Sequence, residues 1–348
     1  TISMDIEFHY YMTHLIAARA GFKPDDAHII AYSAQYVDDN AEIYQIIGGW
    51  FGENYRNGVT QTLDIVHPML DRKEIYPLLH FIPGVPDSPG ARRVDGRTHP
   101  WNTTPNSPNA NAIMDNAIQS GNLYRIGIAA HSYVDTWAHQ NFIGKKDDFN
   151  ACEGYVGGIV PTELVPNIGH ADAGHKPDIP GLIWEDGRLA PENARVDNTS
   201  RFMDATRHVF LKLHEYCNLS ASDETKEQNC SSLISDLTQA IGPHTESEST
   251  ASSGKSGRIA NYKTLSLSTE YGGQEVKDYD EEEWFRKAIS WRHPPHTPTA
   301  KRRSPEGAVS FKWRYPMHKL SHWYRFQEAA EEHKREAQKV LVSALTGN

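Results

Sequence analysis

The densest chemistry in this chain lies in the stretch RIGIAAHSYVDTWAHQNF, where His131, Asp135 and His139 are spaced four apart. On an α-helix each four-residue step turns the side chain by about 40°, so the three fall within about 80° of one face. Two imidazole nitrogens and a carboxylate oxygen on one face suit zinc or another first-row ion, and a carboxylate can also bridge two ions. The neighbours Ala130, Val134, Trp137 and Ala138 are apolar. They place the polar stripe in a helix that belongs in a core, where uncompensated polar groups are costly.

Further ligands are expected from other segments. His9 sits in the amphipathic stretch DIEFHYYMTHLIAARA, and Asp38 and Asp39 end the next helical pattern in SAQYVDDN. Two adjacent carboxylates at a helix C-terminus oppose the macrodipole and call for a cation. Asp38 is the first choice as ligand, with Asp39 retained as the alternative. His80 in YPLLHFIPG would present one imidazole from a loop mouth. The segment PNIGHADAGHKPD places His170, Asp172, His175 and Asp178 within nine residues between prolines, a loop suited to close over an ion. His170 and His175 are the expected ligands there, one or both. Asp39 and Asp172 are the candidate general bases that would orient a metal-activated water.

The elements that must carry these residues read as helices: 5–20, 24–34, 110–119, 123–139, 200–216, 227–241, 281–290 and 317–345. Proline and two acids open the second of these, and Gly21 supplies a stop before it. Nothing long alternates with period two, so the expected fold class is all-α, a multi-helix bundle with long loops. A single metal-binding domain over 1–348 is expected, with a polar low-complexity loop at about 244–258 and a basic, proline-rich loop at about 292–306.

Composition narrows the function classes. The 348 residues include 45 Asp+Glu against 35 Lys+Arg, a formal net charge of -10, and 18 histidines. That charge argues against a duplex nucleic-acid partner, which needs a basic face. No apolar run is long enough for a transmembrane segment. Three cysteines are too few for a disulfide framework or a cysteine zinc site, although Cys217 and Cys230 could pair. A cytoplasmic location is expected, or secretion if Thr1 is a processed N-terminus. The oligomeric state is not legible.

HSYVDTWAH, with a helical histidine near the N-terminus, an aspartate after a second helix and an isolated histidine, resembles the superfamily of zinc-dependent phospholipase C and single-strand nucleases. The likeness covers about residues 4 to 216 and is closer to an uncharacterised bacterial and fungal branch that begins with a MDIEFHYYMT-like stretch. It implies an all-α fold with up to three zinc ions and a metal-activated water that attacks a phosphoester. It further implies that His131 and Asp135 form the central pair, that His80 and Asp38 complete one site, that His9 joins Asp135 at another, and that His139 with His170 or His175 binds a third. The chain differs from the family pattern in the short gap from Asp135 to His139 and in lacking an N-terminal Trp and a closing His-x-x-x-Glu.

The expected function is therefore a metal-dependent hydrolase acting on a phosphoester of a phospholipid, nucleotide or other small molecule. The expected cofactor is two or three zinc ions, with iron or manganese as alternatives. Two other readings use the same residues: an iron or zinc enzyme of small-molecule metabolism (lyase, cyclase or oxygenase), and a non-catalytic module that metal merely stabilises.

Overall fold

The computed structural model of the chain describes residues 6–48, 54–62, 74–152, 169–292 and 310–346. Its centre is helix α5 (Leu123–Ala138), started by Asn122, whose side chain accepts from the Tyr124 and Arg125 amides. Every side chain from Tyr124 to Ala138 is buried. A helix buried all round must be enclosed by other elements. Helices α2 (Pro24–Asp39), α4 (Pro108–Gln119), α7 (Asn198–Cys217) and α12 (His322–Thr346) pack against it. Local signals set their starts: Pro24 and Pro108 occupy first-turn positions, and Ser107 and Asp197 cap α4 and α7.

The closest packing in this group is between α2 and α5. A Cβ on Gly127 would lie 2.4 Å from the Ile30 carbonyl oxygen and 2.6 Å from the Ser33 Cβ. Glycine here lets two backbones approach so that α2 brings Ala34 and Asp38 to the face of α5 that carries His131.

The N-terminal helix differs from the regular expectation. Residues Glu7–Met12 form a π-helix that runs into α1 (Thr13–Ala20), and the helix stops at Gly21 with φ 117. Such widened turns shift side chains out of the usual register and recur at functional sites. This one holds His9. Its first residue, Glu7, is buried and paired through both oxygens with Arg258 at 2.8 Å, while the Tyr262 hydroxyl donates to Oε1 at 3.2 Å.

Arg258 and Tyr262 come from the segment expected to begin as a polar loop. Residues 248–266 are instead two helices, α9 (Glu248–Ser253) and α10 (Lys255–Ser266). Ser247 caps α9 and Ala251 is buried, so sparse apolar content masked an element that tertiary contacts stabilise. The proline-rich segment at 292–306 falls, beyond Arg292, outside the described residues. The rest of the chain includes α3 (Ile75–Leu79), α6 (Pro191–Ala194), α8 (Asp223–Ile241) and α11 (Glu283–Ala288).

The chain is mostly helical, but not purely so. Strands β1 (Gln45–Ile47), β2 (Tyr55–Arg56), β5 (Ile289–Arg292) and β6 (Ser310–Trp313) form a sheet in the order β2-β1-β6-β5, with β1 and β6 parallel. A separate antiparallel pair joins β3 (Ile183–Glu185) to β4 (Arg195–Asp197). None exceeds four residues, too short for alternation to register in sequence. One hydrophobic cluster extends from Phe8 to Leu341. All three cysteines are free thiols, and among the described residues no helix is long and apolar enough to cross a membrane.

Replacing Gly127 by alanine sets an overpacking cost of about 1–3 kcal/mol against a helix-propensity gain of about 1 kcal/mol. Urea unfolding of Gly127→Ala is therefore expected to show a net loss of up to about 2 kcal/mol. A variant more stable than the parent would contradict the close α2 to α5 contact.

Candidate metal centre

Three groups of buried side chains converge along α5, the first two sharing His131: His9, His131 and Asp135; Asp38, His80 and His131; and His139, His170 and Asp178. Within each group the candidate ligand atoms lie within 4.8 Å of one another. Asp135 is the hub. Its Oδ1 is 3.2 Å from His9 Nε2, and its Oδ2 is 3.2 Å from His131 Nε2 and 3.5 Å from His80 Nδ1. Asp38 Oδ1 lies 3.7 Å from both His80 Nδ1 and His131 Nε2.

The tautomers follow from the backbone. Carbonyl oxygens only accept, so a ring nitrogen bonded to one must carry the proton and the other nitrogen keeps its lone pair. His131 Nδ1 donates to Ala34 O at 2.8 Å, His80 Nε2 to Thr60 O at 2.9 Å, His139 Nδ1 to His80 O at 2.6 Å and His170 Nδ1 to Gly174 O at 2.9 Å. The lone pairs that remain, on His131 Nε2, His80 Nδ1, His139 Nε2 and His170 Nε2, all face the three groups. Pinned imidazoles of this kind are the usual outer support of metal-ligating histidines.

This assignment leaves a conflict that a cation resolves. His131 Nε2 and His80 Nδ1 are 3.1 Å apart, and with both carrying lone pairs they repel. Among the described residues neither oxygen of Asp135 has a hydrogen-bond partner, nor do His139 Nε2 and His170 Nε2, although all are buried. Burial pushes the His131 and His170 imidazoles down to about 3 and lowers His139 as well. They are therefore neutral at pH 7, and every ionic contact of Asp135 is with an imidazole. An uncompensated carboxylate in such a place is expensive. A divalent ion fits the donor set, which is nitrogen and oxygen only.

One imidazole nitrogen has one lone pair, so His131 Nε2 can serve a single ion. Asp135 has two oxygens, and it is the residue able to join the His9 side to the His80, His131 and Asp38 side. His9 differs from the other histidines: it stacks on His131 with ring centroids 3.9 Å apart, and its Nδ1 has no hydrogen-bond partner. The third group is shielded by Phe81, stacked on His139 at 4.4 Å, and by Phe142 beside His170.

The structure thus brings together His9, Asp38, His80, His131, Asp135, His139 and His170, and leaves out three expected residues. His175 is exposed and takes no part, a correction to the loop reading. Asp39 turns away from the centre, accepting from the Tyr279 hydroxyl at 2.7 Å and Gln35 Nε2 at 3.2 Å, because adjacent positions on a helix diverge by about 100°. Asp172 accepts the Cys152 amide at 2.6 Å and lies in none of the groups. Burial raises both carboxyls. Neither aspartate belongs to the three groups in which ligand atoms converge.

Asp178 stands where the expected loop carboxylate was missing. Its oxygens are 3.9 Å from His139 Nε2 and 3.5 Å from His170 Nε2. Two 3₁₀ turns, Ala171–Ala173 and Lys176–Asp178, fold around Gly174 (φ 66) and return Asp178 to His170. An eight-residue separation closed by irregular turns has no periodic signature. The only sequence signal was membership in the polar cluster itself.

The depressed histidines set an acid limb. An unfolded histidine takes up its proton near pH 6.5, whereas folded His131, His170 and the buried His333 of α12 hold out to about 3. Between those values the unfolded chain binds more protons, so stability rises with pH, is fully present above about 6.5 and is lost as pH falls toward 3. Thermal melts of chelator-treated protein are expected to drop steadily over that window. A melting temperature independent of pH between 6.5 and 4 would rule out neutral buried imidazoles.

Comparison with known proteins adds a family but no function. No curated protein and no solved structure matches the chain. Residues 4–341 match DUF6765, a family of unknown function. Since that match spans nearly the whole chain, with every candidate ligand from His9 to Asp178, the chain belongs to the DUF6765 family.

Proposed function

We propose that this protein is a metal-dependent hydrolase of phosphoesters that uses two or three zinc ions. The observation that carries this reading is the set of four carbonyl-pinned imidazoles whose free nitrogens surround buried carboxylates. The resemblance of HSYVDTWAH to the zinc-dependent phospholipase C and nuclease superfamily supports the reaction class, since it covers the same residues.

His131, His80, Asp38 and Asp135 would hold one ion, His9 with the second oxygen of Asp135 another, and His139, His170 and Asp178 the third. Zinc in such a site lowers the pKa of a coordinated water and offsets charge developing on a phosphoryl oxygen. The work of the chain is positional. Asp135 spans neighbouring positions, as closely spaced ions need when both the attacking and leaving oxygens of an in-line displacement must be stabilised. The carbonyls of Ala34, Thr60, His80 and Gly174 hold each ring in the ligating tautomer. Gln61 Nε2 donates to Asp38 Oδ1 at 3.3 Å and orients that carboxylate. Phe81 and Phe142 exclude water from the third group, which strengthens electrostatic interactions inside it.

His80 links two of the groups. Its ring faces Asp38 and His131, and its carbonyl fixes His139. A displacement of this one residue therefore reaches both.

Elemental analysis of purified protein is expected to find two or three equivalents of zinc. Asp135→Asn and His131→Ala should lose metal and lower turnover of a generic phosphodiester such as bis-(p-nitrophenyl) phosphate by more than about 100-fold, beyond the roughly 10–100-fold typical of an outer-shell change. Full metal content with no turnover of any phosphoester or ester would retire the hydrolase reading and leave the metal centre standing. Redox-active iron in place of zinc would favour a different reaction.

A second comparison separates ligands from bystanders. Asp178→Asn is expected to remove one equivalent of metal, while Asp39→Asn, Asp172→Asn and His175→Ala retain the full complement. Loss of metal from Asp172→Asn with retention in Asp178→Asn would reverse the assignment of the third group.

A further inference from the structure

An apolar and basic face lies apart from the metal centre. Tyr315, Met317 and Leu320, between β6 and α12, are 62%, 68% and 54% exposed. They border a cavity of about 670 Å³ that is also lined by Trp284, Ala288 and His322. Large side chains exposed singly are ordinary, but three within six residues beside an apolar cavity form a patch.

The charge of the segment that carries the patch is opposite to that of the whole chain. From Gly307 to Gln327 there is no acidic residue, while Lys312, Arg314, Lys319 and Arg325 are all exposed. The chain as a whole carries -10. Arg314 is braced by the carbonyls of Arg286 and Ile289 at 3.0 and 3.3 Å, so its charge is held in place without a carboxylate among its hydrogen-bond partners. Lys287, also at the cavity, pairs with Glu283 and adds little. Trp313, half-buried and stacked on His318 at 4.2 Å, places a further aromatic beneath the loop.

We infer that this face docks on an anionic lipid surface. Apolar side chains and an exposed Tyr, flanked in sequence by Lys and Arg, match the headgroup boundary of a bilayer, where cations meet anionic lipids and apolar tips enter the acyl edge. Methionine and leucine gain nothing from the phosphates of a nucleic acid, which makes that partner the poorer fit. Self-association through a two-fold contact would bring the same cations of two copies together.

The residues of this face are distinct from those of the metal centre. The Tyr124 hydroxyl, at the first turn of α5, is 2.7 Å from His322 Nδ1, whereas His139 ends the same helix. Along the axis at 1.5 Å rise, His131 lies about 10 Å and His139 about 22 Å from Tyr124. Docking therefore does not depend on the hydrolase reading.

Vesicle flotation tests this with the full chain. Binding to vesicles containing phosphatidylserine is expected to be at least 10-fold stronger than to pure phosphatidylcholine and to fall in 0.5 M salt. Met317→Asp with Leu320→Asp, and separately Lys312→Glu with Lys319→Glu, should each reduce binding at least 10-fold at unchanged melting temperature. Asp135→Asn should bind vesicles like the parent even if metal is lost. Absence of binding to anionic vesicles, or binding untouched by both pairs, would overturn the proposal. So would a dimer in sedimentation that Met317→Asp with Leu320→Asp dissociates, or binding of single-stranded nucleic acid at this face in preference to lipid.

Discussion

The structure turns on one buried carboxylate. Asp135 lies at the centre of α5, fully enclosed, with four imidazoles within 3.5 Å of its oxygens and no hydrogen-bond donor of its own. His131 and His80 already spend their protons on backbone carbonyls and turn lone pairs toward the carboxylate, while the His139 Nδ1 proton is committed to the His80 carbonyl. Such an arrangement makes chemical sense around a cation and is costly without one. Five of the 18 histidines gather at this carboxylate and the adjoining group.

Much of the fold can be understood as the means of bringing partners to Asp135. Gly127 lets α2 approach closely enough to deliver the Ala34 carbonyl and Asp38. The π-helix of Glu7–Met12 carries His9, and the buried Glu7 to Arg258 pair ties that turn to α10, some 250 positions later in sequence. Tyr279 and Gln35 draw Asp39 aside, leaving Asp38 to face the histidines. The region after residue 216 is thus a brace for candidate ligands that all lie between His9 and Asp178.

What was legible in sequence depended on regular geometry. The four-residue spacing of His131 and Asp135 on a helix translates directly into 3.2 Å between ligand atoms. His139 carries the same spacing but sits at the C-cap, where φ -90 and ψ 11 depart from the helix, and its free nitrogen serves the group with His170 and Asp178. Asp38 and Asp39 were inseparable because the choice rests on a tyrosine distant in sequence. His170 and His175 were equally open, and Asp178 was passed over, because two 3₁₀ turns decide which of them faces inward. The small sheet and helices α9 and α10 escaped notice for a related reason: short strands and polar helices are held by tertiary contacts and carry little periodic signal.

Anomalous diffraction at the zinc edge, from crystals of protein purified at neutral pH without chelator, tests the central claim most directly. A peak is expected within about 2.0–2.2 Å of His131 Nε2 and an Asp135 oxygen, with a nitrogen and oxygen coordination shell. No peak at this position even after soaking with zinc, with a water molecule or a shared proton between His131 and His80 instead, would contradict it.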